Sequence, residues 1–201
     1  MFFSFDGIDG VGKTTQLQLF CRWLEDSGRE VVTCRDPGST PLGEKVRETL
    51  LLSDENTPIS ARCEMLLYMA ARAQLVDQVI EPALEAGHTV VSDRYLLANV
   101  VYQGYAGGLD LAAVRSVGKV ATAGLEPDCT FVLDMSAASA RQRMGDHLDR
   151  VESRGDDYRE RLRQGFLDEV NYLGAKFHIV DAARPVDEIQ TELRGIARRL
   201  L

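Results

Sequence analysis

Cysteine, histidine and long apolar segments are scarce in this 201-residue chain, and each scarcity excludes a class of protein. The four cysteines (Cys21, Cys34, Cys63 and Cys129) form no Cys-x-x-Cys pair and are accompanied by only three histidines. We therefore expect reduced thiols rather than a zinc site or a disulfide framework. The longest uninterrupted apolar run, Met65 to Ala71, has seven residues, whereas a membrane-spanning helix needs about 20. No membrane partner is expected.

Positive charge is also in the minority, with 23 Lys and Arg against 31 Asp and Glu and a net charge of −8. Proteins that coat nucleic acid need a basic face, so no nucleic-acid partner is expected. An anionic ligand must instead meet locally concentrated positive charge. Residues 1–5 lack the basic region that opens a signal peptide, and Asp6 follows directly, so we expect a cytoplasmic protein.

The length suits one domain, which we place at residues 1–201. Short β-rich runs alternate with longer helical patterns, which is typical of an α/β fold around a parallel sheet. The predicted strands are Phe2–Phe5, Val31–Arg35, Thr89–Ser92, Cys129–Leu133 and Phe177–Val180. Helical spacing marks residues 15–24, 61–86 (with Pro82 expected to kink or restart it), 111–123, 159–173 and 185–199. The pattern predicts a five-stranded parallel sheet flanked by helices.

Residues 7–14, Gly-Ile-Asp-Gly-Val-Gly-Lys-Thr, fit the G-x-x-x-x-G-K-[ST] pattern between a predicted strand and a predicted helix. Glycines let backbone N–H groups curl around an oxyanion, and the helix N-terminus adds positive charge. Lys13 can bridge the outer phosphates, and the Thr14 hydroxyl is placed for Mg²⁺. The alternative is a chance glycine turn with a surface lysine. The sequence has no Asn-Lys-x-Asp stretch for guanine, so a small kinase for nucleotides or metabolites is favoured over a GTPase.

Asp93 and Arg94 directly follow the third predicted strand. A carboxylate at the carboxyl end of a parallel strand faces the ligand crevice and can hold Mg²⁺ or its water. The planar guanidinium of Arg94 can hold a phosphate. The alternative interpretation is a surface ion pair.

Two further groups suit a second substrate. Tyr68 and Arg72 are four residues apart on one helix face and could stack on a base and bind its edge. From spacing alone, a core aromatic with Arg72 reaching out to solvent is favoured. Asn99, Tyr102 and Gln103 follow on a short predicted helix, where the amides could read a pyrimidine edge. A helix facing solvent explains them equally well.

The chain resembles the thymidylate kinases. The resemblance rests on residues 5–16, 35–40, 66–74, 92–95, 102–104, 127–128 and 149–152, in this order and at this spacing. It implies the three-layer P-loop kinase fold with a mobile lid at about residues 141–158. It also implies ATP- and Mg²⁺-dependent phosphorylation of dTMP to dTDP for dTTP synthesis, and a homodimer.

The resemblance also implies roles for individual residues. Lys13, Arg94 and Arg150 are the expected catalytic residues, and Thr14 and Asp93 the expected metal ligands. ATP is expected to contact Gly7, Asp9, Gly10, Val11, Gly12, Lys13, Thr14, Thr15, Arg143 and Arg150. dTMP is expected to contact Asp9, Asp36, Arg47, Tyr68, Arg72, Arg94, Asn99, Tyr102 and Gln103.

The chain departs from the family pattern in four places, one of which is that residues 69–71, Met-Ala-Ala, lack the acidic residue that often precedes the arginine. Asp36 stands where glutamate is usual, Ser39 replaces a glycine, and Ala98 replaces a frequent serine. These changes affect fine geometry rather than the reaction. The competing interpretations are another nucleotide or deoxynucleoside kinase and a non-catalytic ATP-binding regulator.

Overall fold

The computed structural model describes residues 1–52, 58–145, 150 and 154–201. The described residues form a five-stranded, all-parallel sheet in the order β2-β3-β1-β4-β5. The strands are β1 (Phe2–Asp6), β2 (Val31–Arg35), β3 (Thr89–Asp93), β4 (Cys129–Asp134) and β5 (Phe177–Asp181). The predicted α/β fold with a five-stranded parallel sheet is confirmed.

Helices flank the sheet, and their bounds follow in chain order. They are α1 (Lys13–Asp26), α2 (Pro41–Leu52), α3 (Ala61–Leu75), α4 (Glu81–Glu85), α5 (Leu96–Asn99), α6 (Leu111–Ala121), α7 (Ala137–Gln142), α8 (Asp156–Leu173) and α9 (Val186–Ala197). Two π-helical segments, Val76–Ile80 and Val100–Tyr105, link α3 to α4 and extend α5. None of the helices in the described ranges is long and apolar enough to cross a membrane.

The core lies on both faces of the sheet, because successive strand residues point to opposite sides. Phe3 and Phe5 of β1 pack with Phe20 of α1 and Phe131 of β4. Phe2 points the other way, into a separate cluster under α3 and α4. Burial on both faces explains why the strands read as apolar runs.

The observed elements add detail to the sequence expectations at three points. The helix expected over 61–86 is interrupted by the segment Val76–Ile80 and restarts at Glu81, directly before Pro82, as the expected restart at this proline predicts. Proline lacks the N–H that a regular helix donates four residues back, so the geometry changes upstream of it. Helix α2 was not predicted. Four strands extend one residue further, to an aspartate in each case.

The chain leaves β1 towards β2 and β3 and later continues on the other side of β1 with β4 and β5. This reversal opens a crevice at the carboxyl ends of the central strands, where α/β folds bind ligands. The loop after β1 and the residues after β3 both lie at this edge.

Candidate functional site

The loop of residues 7–14 joins β1 to α1 and depends on its glycines. The φ angles of Gly7, Gly10 and Gly12 are 129°, 88° and 91°, in a region that side chains disfavour. A Cβ on Gly7 would lie 2.4 Å from the carbonyl oxygen of Leu133. Glycine at this position therefore lets the loop pack directly on the backbone of the neighbouring strand.

Lys13 opens α1, and its buried ammonium lies inside this loop. Nζ donates to the carbonyl oxygens of Gly7 (3.1 Å) and Ile8 (2.8 Å) and to Oδ1 of Asp9 (3.3 Å). Burial and the charge of Arg94 lower the pKa of Lys13, while Asp9 opposes them. The loop amides, the helix N-terminus and one ammonium thus converge, as an anion site requires.

Arg94 reaches the same loop from the end of β3, with a φ of 69°. Its Nη2 donates to Oδ1 of Asp9 (2.6 Å) and its Nη1 to the carbonyl oxygen of Gly7 (3.0 Å). Tyr102 donates its hydroxyl to Oδ2 of Asp9 (3.0 Å). Although burial acts to raise it, the charges of Arg94 and Lys13 hold the pKa of Asp9 well below its usual range. Arg94 does form an ion pair, but its side chain is 16% exposed and lies in the crevice, so the surface interpretation is wrong.

Arg72 lies inside the protein and does not reach out to solvent, so that expectation is also wrong. The residue as a whole is 1% exposed. Nε donates to Oδ2 of Asp36 (2.5 Å), Nη1 contacts Sδ of Met69 (3.1 Å), and Nη2 donates to the carbonyl oxygen of Tyr95 (3.4 Å). Tyr68, one turn earlier on α3, is half-buried. The guanidinium is therefore held in place at the pocket wall.

Asn99 and Gln103 are buried as well, at 2% exposure each, and a solvent-facing helix is excluded. Nδ2 of Asn99 donates to Oε1 of Gln103 (2.6 Å), and Nε2 of Gln103 donates to Oε1 of Glu64 (3.1 Å). Gln103 lies in the π-helical segment Val100–Tyr105, a rare geometry that is frequent at functional sites.

These residues line two adjoining cavities. The smaller one, of about 140 Å³, is the acceptor cavity; the larger one, of about 890 Å³, is the phosphate-loop cleft. Both are bordered by Asp9, Asp36, Arg47 and Arg94. The acceptor cavity is lined by Asp9, Asp36, Pro37, Arg47, Leu51, Tyr68, Arg72, Arg94, Ala98, Asn99, Tyr102 and Gln103. All nine residues that the resemblance assigns to dTMP are thus brought together here.

The phosphate-loop cleft is lined by most residues assigned to ATP, namely Asp9, Gly10, Val11, Gly12, Lys13, Thr14, Thr15 and Arg143. Gly7 lies beneath them in the loop, its carbonyl oxygen accepting from Lys13 and Arg94. Arg143 donates to the carbonyl oxygen of Ala182 (3.3 Å) on the far side of the cleft. Arg150 is the assigned residue that the structure places elsewhere.

Thr14 and Asp93 border the phosphate-loop cleft together. A hydroxyl and a carboxylate are the hard oxygen donors that Mg²⁺ prefers, and Mg²⁺ is usually held by one or two carboxylates plus phosphate oxygens. Among the described residues, no three His, Cys, Asp or Glu side chains cluster as a complete metal cage. The donor set therefore fits Mg²⁺ held jointly with a nucleotide.

The predicted lid falls partly outside the described residues, which omit 146–149 and 151–153. Arg150 donates Nε to the carbonyl oxygen of Leu50 (2.8 Å), and its Nη2 donates to Glu64. Arg154 also donates to Glu64, at 2.7 Å. In this structure Arg150 and Arg154, both within the predicted lid, lie beside the acceptor cavity.

Glu64 was not among the residues selected from the sequence, although it is 3% exposed and accepts from both lid arginines and Gln103. One signal could have found it. Glu64 precedes Tyr68 by four residues and Arg72 by eight, so all three lie on one face of α3. A carboxylate in line with two candidate ligand residues belongs to the same site.

Comparisons with known proteins agree with this geometry. A thymidylate kinase family model matches residues 5–193. A thymidylate kinase from Rhodopirellula baltica is 42% identical over 193 residues, which cover 96% of this chain and 78% of the relative. Those of Thermosipho africanus and Clavibacter michiganensis are 39% and 43% identical, cover all of this chain, and are themselves covered to 99% and 96%.

Proposed function

This chain belongs to the thymidylate kinase family, and from that membership we propose how its residues carry out the reaction. The protein is a phosphotransferase that moves phosphate from ATP to dTMP, a step in dTTP synthesis. One observation supports the residue roles below: two adjoining cavities share the border Asp9, Asp36, Arg47 and Arg94. A donor in one cavity and an acceptor in the other meet at that border.

On the donor side, we propose that the loop amides and Lys13 hold the ATP phosphates. Nζ of Lys13 already lies among oxygen acceptors of the loop, a position from which it can exchange them for phosphate oxygens. Thr14 and Asp93 are proposed to hold Mg²⁺, which when bound neutralises phosphate charge. Arg143, at the far side of the cleft, is proposed to lie near the adenine.

On the acceptor side, we propose that Tyr68 stacks on the thymine ring and that Arg72 donates to its O4. Asn99 and Gln103 are proposed to bind the remaining edge of the base, and Tyr102 to lie under the deoxyribose. Further roles follow from the border of the two cavities. Arg47, Arg94, Asp36 and Asp9 are proposed to surround the dTMP phosphate and the sugar hydroxyl.

The chemistry needs no general base, because the attacking oxygen belongs to a phosphate monoester that is already anionic at neutral pH. Alignment and charge neutralisation then supply the catalysis, as in other in-line phosphoryl transfers. Lys13 and Arg94 are the basic side chains already in contact with the loop. Arg150 is proposed to join them from the lid after it leaves Glu64.

A panel of acceptors with ATP and Mg²⁺ tests this assignment. We expect dTDP from dTMP and no product from thymidine, because Arg94 and Arg47 need a phosphate to hold. Transfer to thymidine would favour a deoxynucleoside kinase. ATP binding without any dTDP would identify a non-catalytic regulator.

We further propose that residues 1–201 form one kinase domain that acts as a homodimer in the cytoplasm. The matched family region, residues 5–193, supports the single domain. Sedimentation equilibrium at assay concentrations tests the dimer: twice the 22.3 kDa chain mass is expected, and the monomer mass would contradict it.

A further inference from the structure

A continuous chain of buried hydrogen bonds runs from Glu64 to the wall of the acceptor cavity. Glu64, Gln103 and Asn99 are each at most 3% exposed. Gln103 donates Nε2 to Glu64 (3.1 Å), and Asn99 donates Nδ2 to Gln103 (2.6 Å). Oδ1 of Asn99 is buried and accepts no hydrogen bond from the described residues.

The carboxylate of Glu64 can only accept hydrogen bonds. Its Oε2 receives the guanidinium groups of Arg150 and Arg154. Although burial acts to raise it, the hydrogen bonds from Arg150 and Gln103 lower the pKa of Glu64. An ionised carboxylate has acceptor sites and no donor.

Because Glu64 only accepts hydrogen bonds, it fixes the orientation of the side-chain amide of Gln103 and, through it, that of Asn99. Because Glu64 cannot donate, Gln103 must turn its NH₂ group towards it, which leaves Oε1 of Gln103 facing Asn99. Asn99 must then supply its own NH₂ group, and its Oδ1 remains as the acceptor without a partner among the described residues. Asn99 lines the acceptor cavity together with Tyr68 and Arg72.

We propose that Glu64 is a positioning residue that sets the hydrogen-bond direction of the acceptor cavity, so that Asn99 presents an oxygen to the base. This inference rests on the proposed function. An oxygen at that place matches a pyrimidine whose N3 carries a hydrogen, such as thymine, and repels cytosine, whose N3 is itself an acceptor. The lid arginines act on base selection through Glu64, since they hold its charge.

Arg72 contributes separately to the selection of thymine over cytosine. Its guanidinium has only donors, so it favours a carbonyl at position 4 of the base whichever way the amides point. Loss of the Glu64 contribution should therefore weaken discrimination without abolishing it.

The test is Glu64→Gln, with dissociation constants for dTMP and dCMP measured by calorimetry. The new amide can donate, so the Gln103 and Asn99 amides are free to reverse. We expect the dissociation constant for dTMP to rise at least about 10-fold. The dissociation constant for dCMP divided by that for dTMP should fall at least about 10-fold. The KM for ATP should change less than about 2-fold. A ratio within about 2-fold of wild type, with dTMP still bound, would overturn the proposal.

Two control variants distinguish an effect of Glu64 on the orientation of the amides from a general loss of stability. Glu64→Asp keeps an acceptor-only group, and its ratio should stay near wild type; a fall equal to that of Glu64→Gln contradicts the proposal. Glu169→Gln alters another buried carboxylate, which binds Arg115 (2.6 Å) and Tyr105 (3.1 Å) away from the cavity. It should lower stability comparably and leave the ratio unchanged.

If Glu64→Gln fails to fold, Gln103→Met breaks the chain while leaving Glu64 with both arginines. Because Gln103 is itself proposed to bind the base, a fall of the ratio here supports the proposal only together with a near-wild-type ratio in Glu64→Asp, and an unchanged ratio overturns it. Wild-type dTDP formation is measured first. Its absence would refute the proposed function, whereas an unchanged ratio in an active enzyme refutes only the role of Glu64.

Discussion

Nε of Arg72 lies 2.5 Å from Oδ2 of Asp36, and their side chains are 2% and 0% exposed. Asp36 comes from the loop after β2, and Arg72 comes from α3. The pair therefore joins two separate segments at the wall of the acceptor cavity. Removing one partner leaves a buried charge without compensation, which is far more costly than losing a surface pair.

We predict that Asp36→Ala lowers the free energy of unfolding by about 3 kcal/mol and weakens dTMP binding, because Arg72 loses the group that orients it. Urea denaturation gives the first quantity and calorimetry the second. Lys176→Ala is the matched control, since it removes an ion pair with Glu126 whose side chains are 55% and 71% exposed. The control should change stability by less than about 1 kcal/mol. Equal effects of the two variants would contradict the prediction.

Lys13→Ala should reduce kcat for dTDP formation by at least about 100-fold, as expected for the loss of a preorganised charge at the transferred phosphate. A coupled assay at saturating dTMP measures the change. Lys119→Ala is the control, because it removes a lysine from the exposed surface of α6. It changes the net charge by the same amount as Lys13→Ala and should retain wild-type kcat. Turnover above a tenth of wild type in Lys13→Ala would refute the phosphate-loop assignment.

We expect Asp6, the last residue of β1, to make the stability of the fold depend on pH. It is fully buried, and neither carboxylate oxygen has a partner among the described residues. Burial raises the pKa of Asp6 to about 7, although Arg94 and Lys13 act to lower it. Between about pH 4 and pH 7 the native state holds a proton that the unfolded state has lost, so this group makes stability fall as pH rises.

Asp6→Asn removes that dependence, because the amide does not ionise. We predict that its Tm at pH 8 exceeds that of wild type by about 5 °C or more, and that the two melt together near pH 4. Thermal melts in one buffer series from pH 4 to pH 8 provide the comparison. A constant difference across the series would show that Asp6 does not titrate in this range.

The fold was largely predictable because its strands are buried on both faces and read as apolar runs. The errors arose where apolar patterning stops being informative. β1, β3, β4 and β5 each end on an aspartate, and a polar residue after an apolar run looks like the start of a loop. Helix α2 opens with Pro41-Leu42-Gly43, which resembles a turn, although proline is favoured in the first turn of a helix.

The site was predictable where its residues form contiguous motifs, as in residues 7–14 and at Asp93-Arg94. The contacts of Glu64 were not predictable, because its partners are distant in the sequence: Gln103 is 39 residues away and Arg150 is 86. The position of Arg72 was misjudged from spacing for a similar reason. Only the folded structure brings Asp36 next to Arg72, and this ion pair compensates the charge of the buried guanidinium.

Arg150 provides the sharpest test of the lid, because two different roles give it two kinetic signatures. In the structure it binds Glu64 and the end of α2, whereas the proposed catalytic role requires it to reach the transferred phosphate. If it does so, Arg150→Ala should lower kcat by about 10³-fold, as for arginine fingers, with a smaller change in the KM for dTMP. Arg154→Ala is the comparison, because Arg154 shares Glu64 but is also held by the hydroxyl of Tyr158 (3.0 Å), and its kcat loss should be smaller. A kcat loss below 10-fold in Arg150→Ala, with a raised KM for dTMP, would confine Arg150 to the acceptor side where it now lies.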